Sequence, residues 1–126
     1  MKRETIINSY HGNIQYLERN SSTELIIFIV DDQEMFSNLL KDQLEENDKF
    51  TVYTFPTGEA CMGYLDLKPD LVILDYHLDG VVKHAKKGDI IYTEIKEKLP
   101  TTEIIMISSD HKLSFLSEVS RINKKI

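Results

Sequence analysis

The sequence predicts an α/β fold built on a doubly wound parallel sheet, and three observations predict it. Short, continuous apolar runs of strand length recur along the chain, as in Leu25–Val30 and Leu71–Leu74, and such runs suit strands covered on both faces. Stretches with apolar residues at helical spacing lie between them. Two of the runs lead directly into carboxylates, at Asp31-Asp32 and at Asp75. Strands alternating with helices imply parallel strands joined by right-handed crossovers.

From Glu24 the pattern is regular. Leu25 to Val30 reads as a buried strand ending at Asp31-Asp32. Met35, Phe36, Leu39, Leu40 and Leu44 then give one apolar helical face, closed by Asn47-Asp48. Phe50 to Phe55 has the aromatic and β-branched content of a strand. Pro56 ends it, and Thr57 is placed to cap a helix carrying Ala60, Cys61, Tyr64 and Leu65. The turn Lys68-Pro69-Asp70 sets the start of the third strand, Leu71 to Asp75. A long loop, residues 76–87, precedes a helix with Ile90, Ile91, Ile95 and Leu99 on one face and Pro100 at its end. Glu103 to Ser108 reads as a fourth buried strand. In Leu113 to Ile126, the residues Phe115, Leu116, Val119, Ile122 and Ile126 share a helical face.

Residues 1–23 stand apart as an N-terminal extension or linker, with residues 24–126 forming the domain. Ile6, Tyr10, Ile14 and Leu17 have helical spacing, yet the same residues suit a hairpin around His11-Gly12-Asn13, and both readings stay open. Asn20 to Thr23 reads as a polar linker.

The chain's 126 residues suit one domain with one sizeable core. A net charge of -6 argues against a nucleic-acid binder, which would carry a basic face. The single cysteine, Cys61, cannot form an intrachain disulfide and reads as a small buried apolar residue. The apolar run Leu25–Val30 is far too short to span a bilayer. Met1 to Glu4 lacks a signal-peptide core, so the expected location is the cytoplasm.

Parallel strands share a direction and lie about 4.8 Å apart, so polar residues at their ends converge. Asp31, Asp32, Asp75 and Ser108 fall at one such edge, where ligands bind in open α/β sheets. Each has a plainer reading. Asp75 could merely open the next loop, Asp31-Asp32 could cap a helix, and Ser108 could be an ordinary strand-end hydroxyl. Together, three carboxylates would repel without a hard cation, and an oxygen-only ligand set favours magnesium (Mg2+). A carboxylate so placed can attack a phosphoryl group and form an aspartyl phosphate, while the metal neutralises charge on the phosphoryl oxygens.

Ile29-Val30-Asp31-Asp32, Lys68 to Asp75 and Ile104 to Ser109, in this order and spacing, resemble the receiver domain of two-component response regulators. The resemblance covers roughly Glu24 to Asp110. It implies a flavodoxin-like receiver fold with strand order 2-1-3-4, counted from the Leu25 strand. It implies that Asp75 is the phosphoacceptor of a phosphorelay, that Asp31 and Asp32 hold magnesium with Asp75, and that the backbone carbonyl of His77 is a further ligand. It assigns Ser108 the hydroxyl that contacts the phosphoryl group. The implied partner is a histidine kinase or phosphotransfer protein, and the implied role is signalling rather than enzymatic turnover. No room is left for a DNA-binding output domain, so output would pass through protein contacts.

Two departures from the family stand out. The loop between Asp75 and Gly88 is longer than usual. After Ser108, no fifth strand with its terminal lysine is legible, so the domain reads as truncated or internally deleted near its C-terminus. Leu113 to Ile126 could be the fourth helix of a truncated domain or the final helix after a deletion. Lys83, Lys86 and Lys87 read as a solvated loop, with the sharper expectation that one of them replaces the missing lysine. An open sheet edge tends to recruit another chain, which predicts a homodimer. Two other functions compete with the phosphoacceptor: a phosphorylation-independent interaction or dimerisation module, and a haloacid-dehalogenase-type phosphohydrolase. The second needs an aspartate two residues past the nucleophile, where this chain has His77.

Overall fold

The computed structural model describes residues 2–8, 14–20 and 24–123. Strand β1 (Lys2–Asn8) pairs antiparallel with β2 (Ile14–Asn20), Lys2 opposite Asn20 and Asn8 opposite Ile14. The hairpin reading of this segment is therefore the one adopted. The expected linker residues 21–23 lie outside the described residues.

The remaining strands form one parallel sheet: β3 (Leu25–Val30), β4 (Phe50–Phe55), β5 (Leu71–Asp75) and β6 (Glu103–Ile107). Their spatial order is β4-β3-β5-β6, which is 2-1-3-4 counted from β3. Alternate residues along each strand serve different cores. Leu25, Ile27, Ile29, Val52, Leu71, Ile73 and Ile107 pack with Phe36, Leu40 and Leu44 of α1 (Glu34–Leu44) and Phe115 and Leu116 of α4 (Lys112–Asn123). Phe28, Val30, Phe55, Val72 and Leu74 pack with Cys61 of α2 (Gly58–Met62) and Ile91 and Ile95 of α3 (Gly88–Lys98). Burial on both faces is why the strands read as unbroken apolar runs.

Several local expectations need correction. On α1, Met35 and Leu39 are exposed while Ser37 is buried, so the core-facing stripe is narrower than the apolar residues indicate. Thr57 caps α2 as expected, its hydroxyl accepting from the Ala60 N–H at 3.1 Å. That helix is only five residues long, however, and Tyr64 lies beyond it in the open. Ile90 is likewise exposed on α3.

β6 is not fully buried: Glu103 is exposed and Ile104, Ile105 and Met106 are half-buried. It pairs with β5 alone among the described strands and forms one edge of the sheet. Without a neighbour on its outer side, its side chains keep partial contact with water. A single 3-10 turn, Ser109–His111, joins β6 to α4. α4 then lies on α1, with the Asn123 amide donating to the Gln43 carbonyl. Ile126, expected on the same face, lies outside the described residues.

Candidate functional site

The register of the sheet brings the predicted residues together. Val30 is opposite Leu74 and Asp75 is opposite Ile107, so Asp31, Asp75 and Ser108 all fall at the carboxyl edge of three neighbouring strands. Alternation along β5 places Asp75 on the same face as Leu71 and Ile73, the face covered by α1 and α4. Asp31 and Asp75 are buried, at 4% and 3% exposure, and Asp32 is half-buried. One oxygen from each of the three carboxylates can be chosen so that all lie within 4.8 Å of one another.

Each carboxylate has defined partners. Asp31 Oδ1 accepts from the Gln33 N–H at 2.8 Å, and Asp75 Oδ1 accepts from the His77 N–H at 3.1 Å. Neither aspartate of the Asp31-Asp32 pair is the N-cap of α1, which is Gln33, and the Gln33 side chain makes no capping bond to the helix. Asp32 Oδ2 instead accepts two N–H groups, from Gly80 and Val81, each at 3.1 Å. The long loop therefore folds back over the site, with Leu78 fully buried beneath it as an anchor. His77 is exposed and its ring stands edge-on to Tyr76. Ser108 Oγ is 2.8 Å from His111 Nδ1.

The residue that sequence reasoning missed is Lys112. Its ammonium lies 2.9 Å from Asp31 Oδ2, 3.1 Å from Asp31 Oδ1 and 3.3 Å from Asp75 Oδ2. It also donates to Gln33 Oε1 at 2.9 Å and stands 5.2 Å from the centre of the Phe36 ring. No strand follows β6 among the described residues, yet an ammonium sits across the site, delivered by the first residue of α4. The loop lysines Lys83, Lys86 and Lys87 are all exposed, and Lys86 pairs with Glu94 of α3 at 2.7 Å. The sequence predicts this helix from Leu113, one residue after Lys112, whereas α4 begins at Lys112 itself, where a cation opposes the helix dipole and gains from the anions beside it.

Burial pushes the Asp31 carboxyl up to about 6, against the lowering effect of the Gln33 N–H and Lys112. Burial also raises Asp75, opposed by the His77 N–H and by Lys112. The charge of Asp75 raises Asp31 further, and that of Asp32 raises Asp75. Cys61, fully buried in the α2–α3 core, has its thiol pushed up to about 12 by burial, which fits its expected inert role.

The profile of the response regulator receiver domain matches residues 27–123. Among curated proteins no sequence match was found. Solved structures similar to the chain include a signal receiver domain from Vibrio parahaemolyticus, at 20% identity and TM-score 0.58, over 68% of this chain and 62% of that one. The Mn(2+)-bound form of the response regulator Rcp1 aligns at 18% identity and TM-score 0.61, over 79% of this chain and 92% of that one. A response regulator from Thermotoga maritima aligns at 21% identity and TM-score 0.56, over 75% and 77% of the two chains. The chain thus spans less than two thirds of the Vibrio structure. At these identities the structural likeness bears on the fold alone; the profile, which runs from β3 through α4 across Asp31, Asp75 and Ser108, bears on the family. The chain belongs to the response regulator receiver domain family.

Proposed function

We propose that the chain is a phosphorylation-dependent signalling module in which Asp75 accepts a phosphoryl group from a histidine kinase or phosphotransfer protein. The observation that carries this reading is the convergence of Asp31, Asp32 and Asp75 on one space at the end of β5. An Asp75 oxygen attacks phosphorus and forms an O–P bond as the donor's P–N bond breaks. The electron pair stays on the donor imidazole, which takes up a proton. An oxygen-only donor set fits a hard cation, and Rcp1, similar in fold, is known in an Mn(2+)-bound form. Magnesium would be held by Asp31, Asp32, Asp75 and the backbone carbonyl of His77, and when bound would neutralise the phosphoryl oxygens. Ser108, now bonded to His111, would turn its hydroxyl to a phosphoryl oxygen. That exchange would shift the surface around the 109–111 turn and α4 between two states, the output being read by protein contacts in the cytoplasm.

The test is labelling by acetyl phosphate or beryllofluoride with magnesium. The native chain is expected to take up the label, and Asp75→Asn to lose it entirely. A native chain that stays unlabelled overturns the reading. It would leave the phosphorylation-independent module, which the native contacts also support, since Lys112 and the Gly80 and Val81 N–H groups already satisfy the three carboxylates.

The outer edge of β6 is the surface through which we infer a homodimer, because the backbone groups on the side away from β5 have no strand partner among the described residues. Light scattering at high concentration is expected to give twice the chain mass. A monomer at every concentration removes the inference.

A further inference from the structure

The site contains a buried cation with four acceptor atoms around it and no role in the reading above. Lys112 is 7% exposed, and its ammonium bridges the end of β3 to the end of β5. An ammonium has only three N–H donors. Asp31 Oδ1 and Oδ2, Asp75 Oδ2 and Gln33 Oε1 therefore compete for it at 2.9 to 3.3 Å, with Asp75 the most distant. The resting ammonium is thus held mainly by Asp31 and only loosely by Asp75. A phosphoryl group on Asp75 would add oxygens bearing more charge than a carboxylate, within reach of the same ammonium.

The backbone makes this exchange matter. Lys112 is the first residue of α4, and only the turn Ser109–His111 separates it from Ser108 at the end of β6. Ser108 and Lys112 thus bracket one turn, the first bonded to His111 within it and the second bonded to the carboxylates. A change at Asp75 reaches α4 through Lys112 directly, with no intervening strand.

Resting on the phosphoacceptor reading of Asp75, we propose that Lys112 is this chain's phosphoryl-sensing cation. It holds Asp31 in the resting state, shifts to the phosphoryl group on Asp75 when that forms, and carries the first turn of α4 with it. It is a binding residue supplied by the N-terminus of a helix, in place of a lysine at the end of a strand.

The test follows the Lys112 ammonium and the backbone amides by nitrogen-15 NMR on the full chain. In the resting protein the ammonium signal is expected to exchange slowly with water and to be lost in Asp31→Asn. Beryllofluoride with magnesium is expected to move that signal and the amides of residues 109–115. In Lys112→Met the adduct is still expected to shift the Tyr76 and His77 amides, while the 109–115 response falls at least threefold; Lys112→Arg is expected to restore it. An ammonium that exchanges like the surface lysines overturns the proposal. So does one that stays put while Tyr76 and His77 report the adduct. If Lys112→Met does not fold, the native ammonium signal and Lys112→Arg still decide. If the native chain forms no adduct, the phosphoacceptor reading fails and the sensing role falls with it. The resting signal then decides separately whether Lys112 is the counter-ion of Asp31.

Discussion

Lys112→Ala is expected to cost about 3–5 kcal/mol of folding stability at pH 7 in the presence of a chelator, the loss typical of removing one partner of a buried ion pair. Asp31 and Asp75 would keep their burial and lose their only cation among the described residues. The damage is the uncompensated charge, since the intact pair is not itself a strong stabiliser: burial outweighs the help of Lys112 and leaves both carboxyls above their ordinary range. The pH dependence follows from that direction. A carboxyl whose folded value is raised, to about 6 for Asp31 against 3.8 unfolded, contributes stability that is fully present below the unfolded value. That stability is lost as the pH rises through the folded value. For Asp31 the loss between pH 4 and 6 is on the order of 3 kcal/mol, and Asp75 acts in the same direction. In Lys112→Ala both carboxyls rise further, so the drop is steeper and continues to higher pH. Urea denaturation should therefore show the two proteins closest near pH 4 and farthest apart at pH 7 and above. Asp31→Asn introduced into the variant should recover part of the loss at pH 7. Equal stability of the two proteins at pH 7 would show that water reaches these carboxylates freely.

What the sequence made legible follows from burial. β3, and β5 as far as Leu74, are apolar throughout, so their limits, their parallel pairing and the residues at their ends can be read directly. The carboxylate edge came with them, because Asp31 and Asp75 are fixed by the ends of those strands. Elements with one partly solvated side were harder. β6 has the composition of an interior strand, but it lies at the edge, and only its missing neighbour tells the difference. On α1, Ser37 is buried although it is not part of the predicted apolar face, and Met35, which is, takes a solvent position. The N-terminal segment was ambiguous because Ile6, Ile14 and Leu17 satisfy helical and hairpin spacing alike. Lys112 was hidden for a different reason. Lysine at the start of an amphipathic helix ordinarily marks a surface, and the contacts that bury this one come from Asp31 and Asp75, 81 and 37 residues earlier in the chain. Sequence spacing carries no record of such a contact.

Gly88→Ala is expected to have the largest combined effect on fold and site. A Cβ at this position would lie 2.3 Å from the Asp75 carbonyl oxygen and 2.8 Å from Tyr76 Cα. Both are backbone atoms at the exit of β5, and neither can turn aside as a side chain would. The Gly88 N–H also donates to the Tyr76 carbonyl at 2.9 Å, so the first turn of α3 is bonded to the segment it would be pushed against. Relieving the clash requires α3 to retreat or the Asp75–Tyr76 backbone to shift. Overpacking of this kind costs about 3 kcal/mol, the upper part of its usual range. A displacement near 1 Å at a reacting group can reduce the rate about a hundredfold, so acetyl phosphate labelling of Asp75 is expected to slow by at least about tenfold. Gly58→Ala separates the two consequences. There the added Cβ would meet Ile91 Cγ1 at 2.2 Å and Cδ1 at 2.3 Å, both atoms of a side chain in the α2–α3 core. Ile91 is fully buried and β-branched within α3, so relief comes from α2 and α3 moving apart, and the strain stays on the face of the sheet away from α1, α4 and the Asp75 side chain. Gly58→Ala should therefore lower stability while labelling at a temperature well below its melting point stays within about twofold of native. A Gly88→Ala protein that labels at the native rate would show that the β5 exit can move without disturbing Asp75, and the positioning role of this close approach would then fail.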